Sequence, residues 1–218
     1  MFRFTSEAVL NDRPEVQGEG AQPGSGADRR VRADAQRSLD ALLQAAKQVF
    51  AASGVDAPVR EVAEAAGVGL GTLYRHFPQR SDLVAAVFRR EIDGCADAAP
   101  VLAADHAPAE ALALWLQRYV DFISTKRGLA AALHSGAPAF AALPAYFDSR
   151  LRPALRSLVD AAVAAGEVRA GVEPDDLLSA VAGLSAPGHD GRTNHARRMV
   201  ALLVDGLRYG AGSAPASD

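Results

Sequence analysis

Cysteine is nearly absent from this 218-residue sequence, which contains Cys95 alone. A single thiol forms no intramolecular disulfide and supplies no cysteine cluster for a metal ion. No apolar run approaches the roughly 18 residues of a membrane-spanning helix, and residues 1–28 lack the apolar core of a signal peptide. These absences predict a cytoplasmic protein without a disulfide framework, a metal site or a membrane partner.

The common catalytic motifs are also lacking. The five histidines include no H-E-x-x-H pair, and there is no Walker loop, no G-x-S-x-G and no glycine run of the dinucleotide-binding type. We therefore predict that the protein is not an enzyme, and we assign it no catalytic residue and no cofactor.

Basic residues are unevenly distributed, although the net charge of the whole chain is only −3. Residues 29–91 carry 10 basic and 7 acidic side chains, a net charge of +3, whereas the segments before and after them carry −3 each. A basic segment in an otherwise acidic chain indicates a module that binds nucleic acid, but a difference of a few charges does not decide the question alone.

Apolar residues recur at helical spacing along most of the chain. Leu39, Leu42, Leu43 and Ala46, for example, fall on one face of a helix. No segment alternates between apolar and polar residues as a strand does. The sequence therefore predicts an all-α fold of about nine helices, with Ser81 as the N-cap of the fourth helix.

Two short apolar stripes between Pro58 and Phe77 carry the most specific pattern. Ala63 provides a small side chain where two helices approach closely, and Gly67, four residues later, permits a left-handed turn. Leu73, six residues further, returns an apolar side chain to the core. This spacing is typical of a helix-turn-helix, although a plain corner between two helices is the alternative.

The outward positions of the second short helix favour DNA over a plain corner. They are small, hydroxyl-bearing or cationic, and none is a carboxylate; they comprise Gly69, Gly71, Thr72, Arg75 and His76. Such a surface suits a groove lined by phosphates, and a cluster of arginines precedes the first helix.

Three segments carry a family resemblance. They are LYRHFPQRSDL, the preceding EVAEAAGVGLGT, and the arm and first helix RADAQRSLDALLQAA. All three resemble the TetR family of transcriptional regulators. The resemblance implies an all-helical homodimer that binds double-stranded DNA, and most members are repressors released from DNA by a small molecule.

The resemblance, together with the proline- and glycine-rich composition of the N-terminal segment, gives a domain organisation. We expect a disordered leader with a basic arm over residues 1–33 and a helix-turn-helix domain over 34–80. A ligand-binding and dimerisation domain over 81–210 and a flexible tail over 211–218 complete the prediction.

Individual roles follow from the resemblance. Tyr74 and His76 match positions that hydrogen-bond phosphates, and Thr72 matches a position that touches phosphate or base. Arg80 stands where the family usually has lysine, at the start of the fourth helix beside a phosphate. The alternative for Tyr74 is a core aromatic. The predicted DNA-binding residues are Arg32, Arg37, Gly69, Gly71, Thr72, Tyr74, Arg75, His76 and Arg80, with Arg75 as a reader of guanine and the arm arginines in the minor groove.

The C-terminal half contains a cluster of aromatic residues from which a ligand cavity could be built. The candidate effector contacts are Trp115, Tyr119, Phe122, His134, Phe140, Tyr146, Phe147, Arg150 and Leu151. The alternative is that these residues are simply the hydrophobic core. Arg150 or Arg152 beside such a cavity would favour an anionic effector.

Two apolar stripes near the C-terminus predict a dimer interface formed as a four-helix bundle with a second copy. The stripes comprise Val181, Leu184, Met199, Val200, Leu203 and Leu207. Burial of one stripe within the chain is the alternative.

Two alternative functions remain open. One is an activator or a regulator controlled by a protein partner. The other, from a different class, is an all-α enzyme or ligand carrier whose helix-turn-helix is only an architectural corner.

Overall fold

A computed structural model describes residues 25–128, 133, 136–185 and 192–209. The described residues form helices and one short 3₁₀ turn, and contain no strand, so the all-α prediction is confirmed and its count of about nine helices is close. The helices are α1 (Ser25–Ser53), α2 (Val59–Ala65), α3 (Leu70–His76), α4 (Arg80–Ala96), α5 (Ala98–Asp105), α6 (Pro108–Gly128), α7 (Leu143–Ala164), α8 (Pro174–Leu184) and α9 (Arg192–Tyr209), with the 3₁₀ turn Pro138–Phe140 before α7.

The chain divides into two units, Met1–Gln36 and Arg37–Asp218. The first unit is described only from Ser25, where α1 begins. The helix thus starts inside the segment predicted to be a disordered leader, because the stretch after Ser25 is rich in alanine and arginine, which are strong helix formers. Most of the predicted leader and the predicted tail over 211–218 lie outside the described residues.

Within the second unit, helices α2 and α3 form the predicted helix-turn-helix. Gly67 adopts a φ of +67° between them, so the predicted left-handed turn is confirmed. Its amide donates to the carbonyl of Glu64, and the amide of Val68 donates to that of Ala63, which ends α2 with satisfied backbone groups. Leu73 points back into the core.

Helix α4 follows directly and begins two residues earlier than predicted. Gln79 is its N-cap: the Gln79 side chain accepts from the amide of Asp82, and the Asp82 carboxylate accepts from the amide of Gln79 at 3.0 Å. The prediction of Ser81 as the cap is therefore wrong, since a reciprocal capping box forms with its N-cap two residues earlier, at Gln79.

A single cluster of buried apolar residues extends from Leu42 in α1 to Leu207 in α9. Helix α4 contributes eight buried residues to it, among them Leu83 and Phe88, and packs against α6 and α7. Helix α6 in turn packs against α5, α7 and α9. None of the described helices is long and apolar enough to cross a membrane.

The packing of α3 makes a testable prediction. Leu73 is 1% exposed, whereas Leu70 in the same helix is 38% exposed. Leu73→Ala should lower the free energy of unfolding by about 2–5 kcal/mol, because it leaves a cavity between α2 and α3. Leu70→Ala is the matched control and should cost about 0.5 kcal/mol or less. Urea denaturation followed by circular dichroism measures both, and equal losses would contradict the placement of Leu73.

Candidate nucleic-acid interface and effector region

Helix α3 presents its polar residues to solvent. Tyr74 is 48% exposed and Arg75 is exposed, whereas Thr72 and His76 are half-buried. Tyr74 is therefore not a core aromatic, which was the alternative interpretation of this residue. The helix contains no acidic side chain, and its two basic residues lie in its last turn. The result is a short, acid-free surface that carries donors suited to phosphate and base edges.

Gly69 and Gly71 leave this surface without side chains at two positions, and no contact of the described residues requires glycine there. A Cβ added at Gly69 or Gly71 would meet nothing within 4 Å, and neither residue adopts a left-handed φ. Glycine inside a helix is about 1 kcal/mol less favourable than alanine. Neither packing nor backbone conformation among the described residues requires glycine at position 71.

The side chain of Arg80 does not point into solvent as a free cation. Its Nη1 donates to the carbonyl oxygens of Val55 and Ala57, both at 2.7 Å, in the loop between α1 and α2. The family resemblance implied a phosphate contact at this position. The acceptors of Arg80 belong to a loop more than 20 residues earlier in the chain. The spacing of apolar residues along a helix does not predict such a long-range contact.

The two predicted arm residues belong to helix α1. Arg32 lies in the first unit and is exposed, and Arg37 lies at the start of the second unit and is also exposed.

Most of the predicted effector residues are core. Trp115, Tyr119 and Leu151 are buried; Trp115 stacks on Tyr119 with ring centroids 5.7 Å apart, and its Nε1 donates to the carbonyl of Cys95 at 2.8 Å. The stack continues to Phe122, whose ring lies 5.9 Å from that of Phe147. Burial raises the pKa of Tyr119. These residues belong to the hydrophobic core, which is the alternative given for them above.

Two of the predicted residues line an apolar cavity of about 350 Å³, namely Phe140 and Phe147. Its wall also contains residues outside the predicted set: Phe88, Leu133, Leu143, Pro144 and Asp148. Phe88 belongs to the apolar stripe of α4, which was the only signal available for it. His134 lies outside the described residues.

Arg150 and Tyr146, two of the predicted effector residues, make polar contacts with carboxylates at the end of α4. The Tyr146 hydroxyl donates to the Asp93 carboxylate at 2.6 Å, and Arg150 donates to Asp93 at 2.9 Å and to Asp97 at 2.6 Å. The hydrogen bond to Asp93 is the main cause that raises the pKa of Tyr146 and of Arg150. This cluster, the α4–α7 clasp, joins the end of α4 to α7.

The clasp weakens the expectation of an anionic effector. Arg150 is neutralised by two carboxylates and does not line the apolar cavity. Arg152 pairs with Asp175 at 2.7 Å. The one charged residue in the described cavity wall is the acid Asp148.

A second cavity, of about 500 Å³, has a charged wall formed by α1, α4 and α6. Phe122 is the predicted effector residue that lines it. Within this wall Lys47 pairs with Glu91 at 2.8 Å, whereas Arg90 pairs with Asp40 and Asp121 pairs with Arg197, both outside the wall.

The predicted dimer stripes are partly buried within the chain. Val181, Val200 and Leu207 are buried, because these faces of α8 and α9 pack in the core beside α6. Met199 and Leu203 are half-buried, and Leu184 is exposed. Two large apolar residues of α9 outside the predicted stripes, Leu202 and Tyr209, are exposed.

Comparisons with known proteins agree with this geometry. Residues 42–87 match the family of bacterial regulatory proteins described as the tetR family. Residues 107–209 match the C-terminal domain of SbtR-like transcriptional regulators.

Solved structures match over most of the chain. The TetR transcriptional regulator SCO0520 from Streptomyces coelicolor is 39% identical with a TM-score of 0.66, and the match covers 78% of this chain and 97% of that chain. A TetR transcription regulatory protein from Mycobacterium vanbaalenii is 35% identical with a TM-score of 0.65, and the match covers 82% and 99%.

The match to a curated relative is shorter. An HTH-type transcriptional regulator from Staphylococcus aureus strain USA300 is 36% identical over 64 residues, which are 29% of this chain and 35% of that protein. The matched segment thus spans about a third of that relative.

The all-α fold and the exposed, acid-free α3 define a helix-turn-helix transcriptional regulator. With these relatives, the chain belongs to the TetR family. Members of this family are DNA-binding transcription factors and not enzymes.

The buried thiol of Cys95 gives a prediction about reactivity. Burial raises its pKa from 9.0 to about 12, and the thiolate is the reactive form. The native protein should therefore not react with a disulfide reagent at pH 8, whereas the urea-unfolded chain should react at once. Because the folded pKa exceeds the unfolded value, thiol ionisation should destabilise the fold as the pH rises from 9 towards 12. Rapid labelling of the native protein at pH 8 would contradict this assignment.

Proposed function

We propose that the protein is a transcriptional repressor that binds a palindromic operator as a homodimer and is released by a small-molecule effector. The observation that carries this proposal is the exposed surface of α3, where Tyr74 and Arg75 stand beside two glycines and no acid.

In the proposed complex, α3 enters the major groove. Tyr74, His76 and Thr72 donate to phosphates, and Arg75 reaches a base edge, with guanine as the matching partner. Gly69 and Gly71 let the backbone of α3 approach the DNA closely. Arg32 and Arg37 are proposed as contacts along the minor groove.

Few long side chains on α3 limit direct base readout. Specificity then depends in part on the shape and deformability of the DNA. A reader of this size gains affinity from a second copy, with the two recognition helices spaced about 34–36 Å apart, or a multiple of that, on a two-fold symmetric site.

The effector is proposed to occupy the apolar cavity beside α4. Phe88 of α4 forms part of the wall, so a bound ligand contacts the helix that begins directly after the helix-turn-helix. The α4–α7 clasp joins the far end of the same helix to α7. A ligand that favours one position of α4 shifts the population away from the DNA-binding state, and linkage makes DNA and effector mutually antagonistic.

Selection from random-sequence duplexes with purified protein at about physiological ionic strength tests the proposal. Enrichment of a two-fold symmetric site supports it, whereas folded protein that enriches no sequence counts against it. Placing the selected site beside a reporter promoter then distinguishes a repressor from an activator by the sign of the change in expression.

The effector step has its own test, a screen of small apolar compounds by thermal unfolding. A compound bound in the cavity should raise the unfolding midpoint and release the selected duplex. Compounds that stabilise the protein and leave DNA binding unchanged would contradict the coupling through α4.

Gly71→Ala should stabilise the fold and weaken DNA binding. The methyl group has open space within the protomer, and alanine favours the helix, so we expect the free energy of unfolding to rise by about 0.5–1 kcal/mol. DNA affinity should fall, because the methyl group enters the interface. Gly94→Ala in α4, where a Cβ would meet only the end of the Arg118 side chain at 3.5 Å, is the control that should leave DNA affinity unchanged. Unaltered binding by Gly71→Ala would remove this face of α3 from the interface.

Leu202→Glu tests the homodimer. Leu202 is 62% exposed on α9, and a carboxylate buried between two copies would be costly. Light scattering after size-exclusion chromatography should show the mass falling towards the 22.7 kDa of one chain. Val101→Glu in α5 alters another exposed apolar residue and should leave the dimer intact. Dissociation by Val101→Glu alone would place the interface on α5.

A further inference from the structure

We propose that Arg80 is a positioning residue: its guanidinium fastens the α1–α2 loop to the start of α4 and thereby holds α3 in the orientation that binds DNA, instead of neutralising a phosphate. The inference rests on the proposed DNA-binding function and specifies how this part of the interface works.

The first support is the geometry of the guanidinium. One nitrogen, Nη1, donates to two backbone carbonyls of the loop at 2.7 Å, the short distance expected of charge-assisted bonds. The two residues that supply the carbonyls, Val55 and Ala57, are themselves buried. The loop is therefore anchored by its side chains and by Arg80 together.

The second support is the charge at the start of α4. Asp82 places a carboxylate in the first turn, where it accepts from the amide of Gln79. The Gln79 side chain in turn accepts from the amide of Asp82. A phosphate that approached this helix end would meet a negative charge and an amide already in use, so the usual attraction of a helix N-terminus for anions is reduced.

The third support is the order of elements along the chain. The α2–α3 pair lies between the loop that supplies the two carbonyls and the residue that binds them. The bonds from Arg80 thus close a ring of chain around the helix-turn-helix and fix both of its ends to α4. Without them, α2 and α3 can shift relative to α4, and DNA must order them on binding.

Salt-dependent DNA binding discriminates between the two roles. With the selected duplex as the probe, Arg80→Ala should lower affinity by about tenfold, which corresponds to roughly the free energy of one charge-assisted hydrogen bond. The slope of log affinity against log salt should not change. Arg60→Ala is the control, because it removes an exposed cation of α2 that pairs only loosely with Glu64 at 3.7 Å; it should leave affinity near that of the wild type.

Two results would overturn the proposal. A phosphate contact at Arg80 would reduce the salt slope by about one unit on substitution. If Arg80 only stabilised the fold, Arg80→Ala would lower the melting temperature and leave the DNA affinity of the folded variant unchanged. Arg80→Lys provides a second variant in case alanine prevents folding: its shorter, charged side chain should also bind DNA less tightly with the same slope, and wild-type affinity would contradict the proposal.

A measurement without DNA separates this inference from the proposed function. Spin labels at Glu61→Cys in α2 and Arg89→Cys in α4, both exposed positions, report the distance between the helix-turn-helix and α4 when labelled chains are diluted with unlabelled protein. Arg80→Ala should broaden the distance distribution, and Arg60→Ala should not. An unchanged distribution overturns the positioning role even where DNA binding is present. If no DNA sequence is selected but Arg80→Ala still broadens the distance distribution, then Arg80 anchors the loop and the proposed DNA-binding function is rejected.

Discussion

Burial of helix α4 is the constraint on which the rest of the structure depends. Its apolar residues belong to one cluster that begins at Leu42 and ends at Leu207, so the helix-turn-helix has no separate core. At about 25 cal/mol for each Å² of apolar surface removed from water, such burial is the main force that holds the second unit together. A change in the position of α4 therefore alters the packing of both the helix-turn-helix and the C-terminal helices.

Polar contacts hold the two ends of this helix. Arg80 bonds the loop before α2, while Asp93 and Asp97 bond Tyr146 and Arg150 of α7. The wall of the apolar cavity meets α4 at Phe88, between these two attachments. In the proposed mechanism a ligand thus acts on a helix whose ends are already fixed to different parts of the protein, which is an arrangement suited to two discrete positions.

Local spacing predicted the helix-turn-helix well. The left-handed Gly67 and the buried Leu73 depend on neighbours a few residues away, and both are present as expected. The partners of Arg80 could not be predicted, because its acceptors lie 23 and 25 residues earlier in an irregular loop. Helical spacing also showed that Trp115 and Val181 lie on apolar faces, but it could not tell a core from a cavity or a dimer surface.

The aromatic stack of α6 has an optical consequence. Trp115 is the one tryptophan of the sequence, it is buried, and its ring is connected through Tyr119 and Phe122 to Phe147 in the cavity wall. Its fluorescence therefore comes from a single emitter in an apolar environment, a few ring contacts from the proposed effector. The protein carries its own reporter, so occupation of the cavity and unfolding of the core can both be followed by emission without a label.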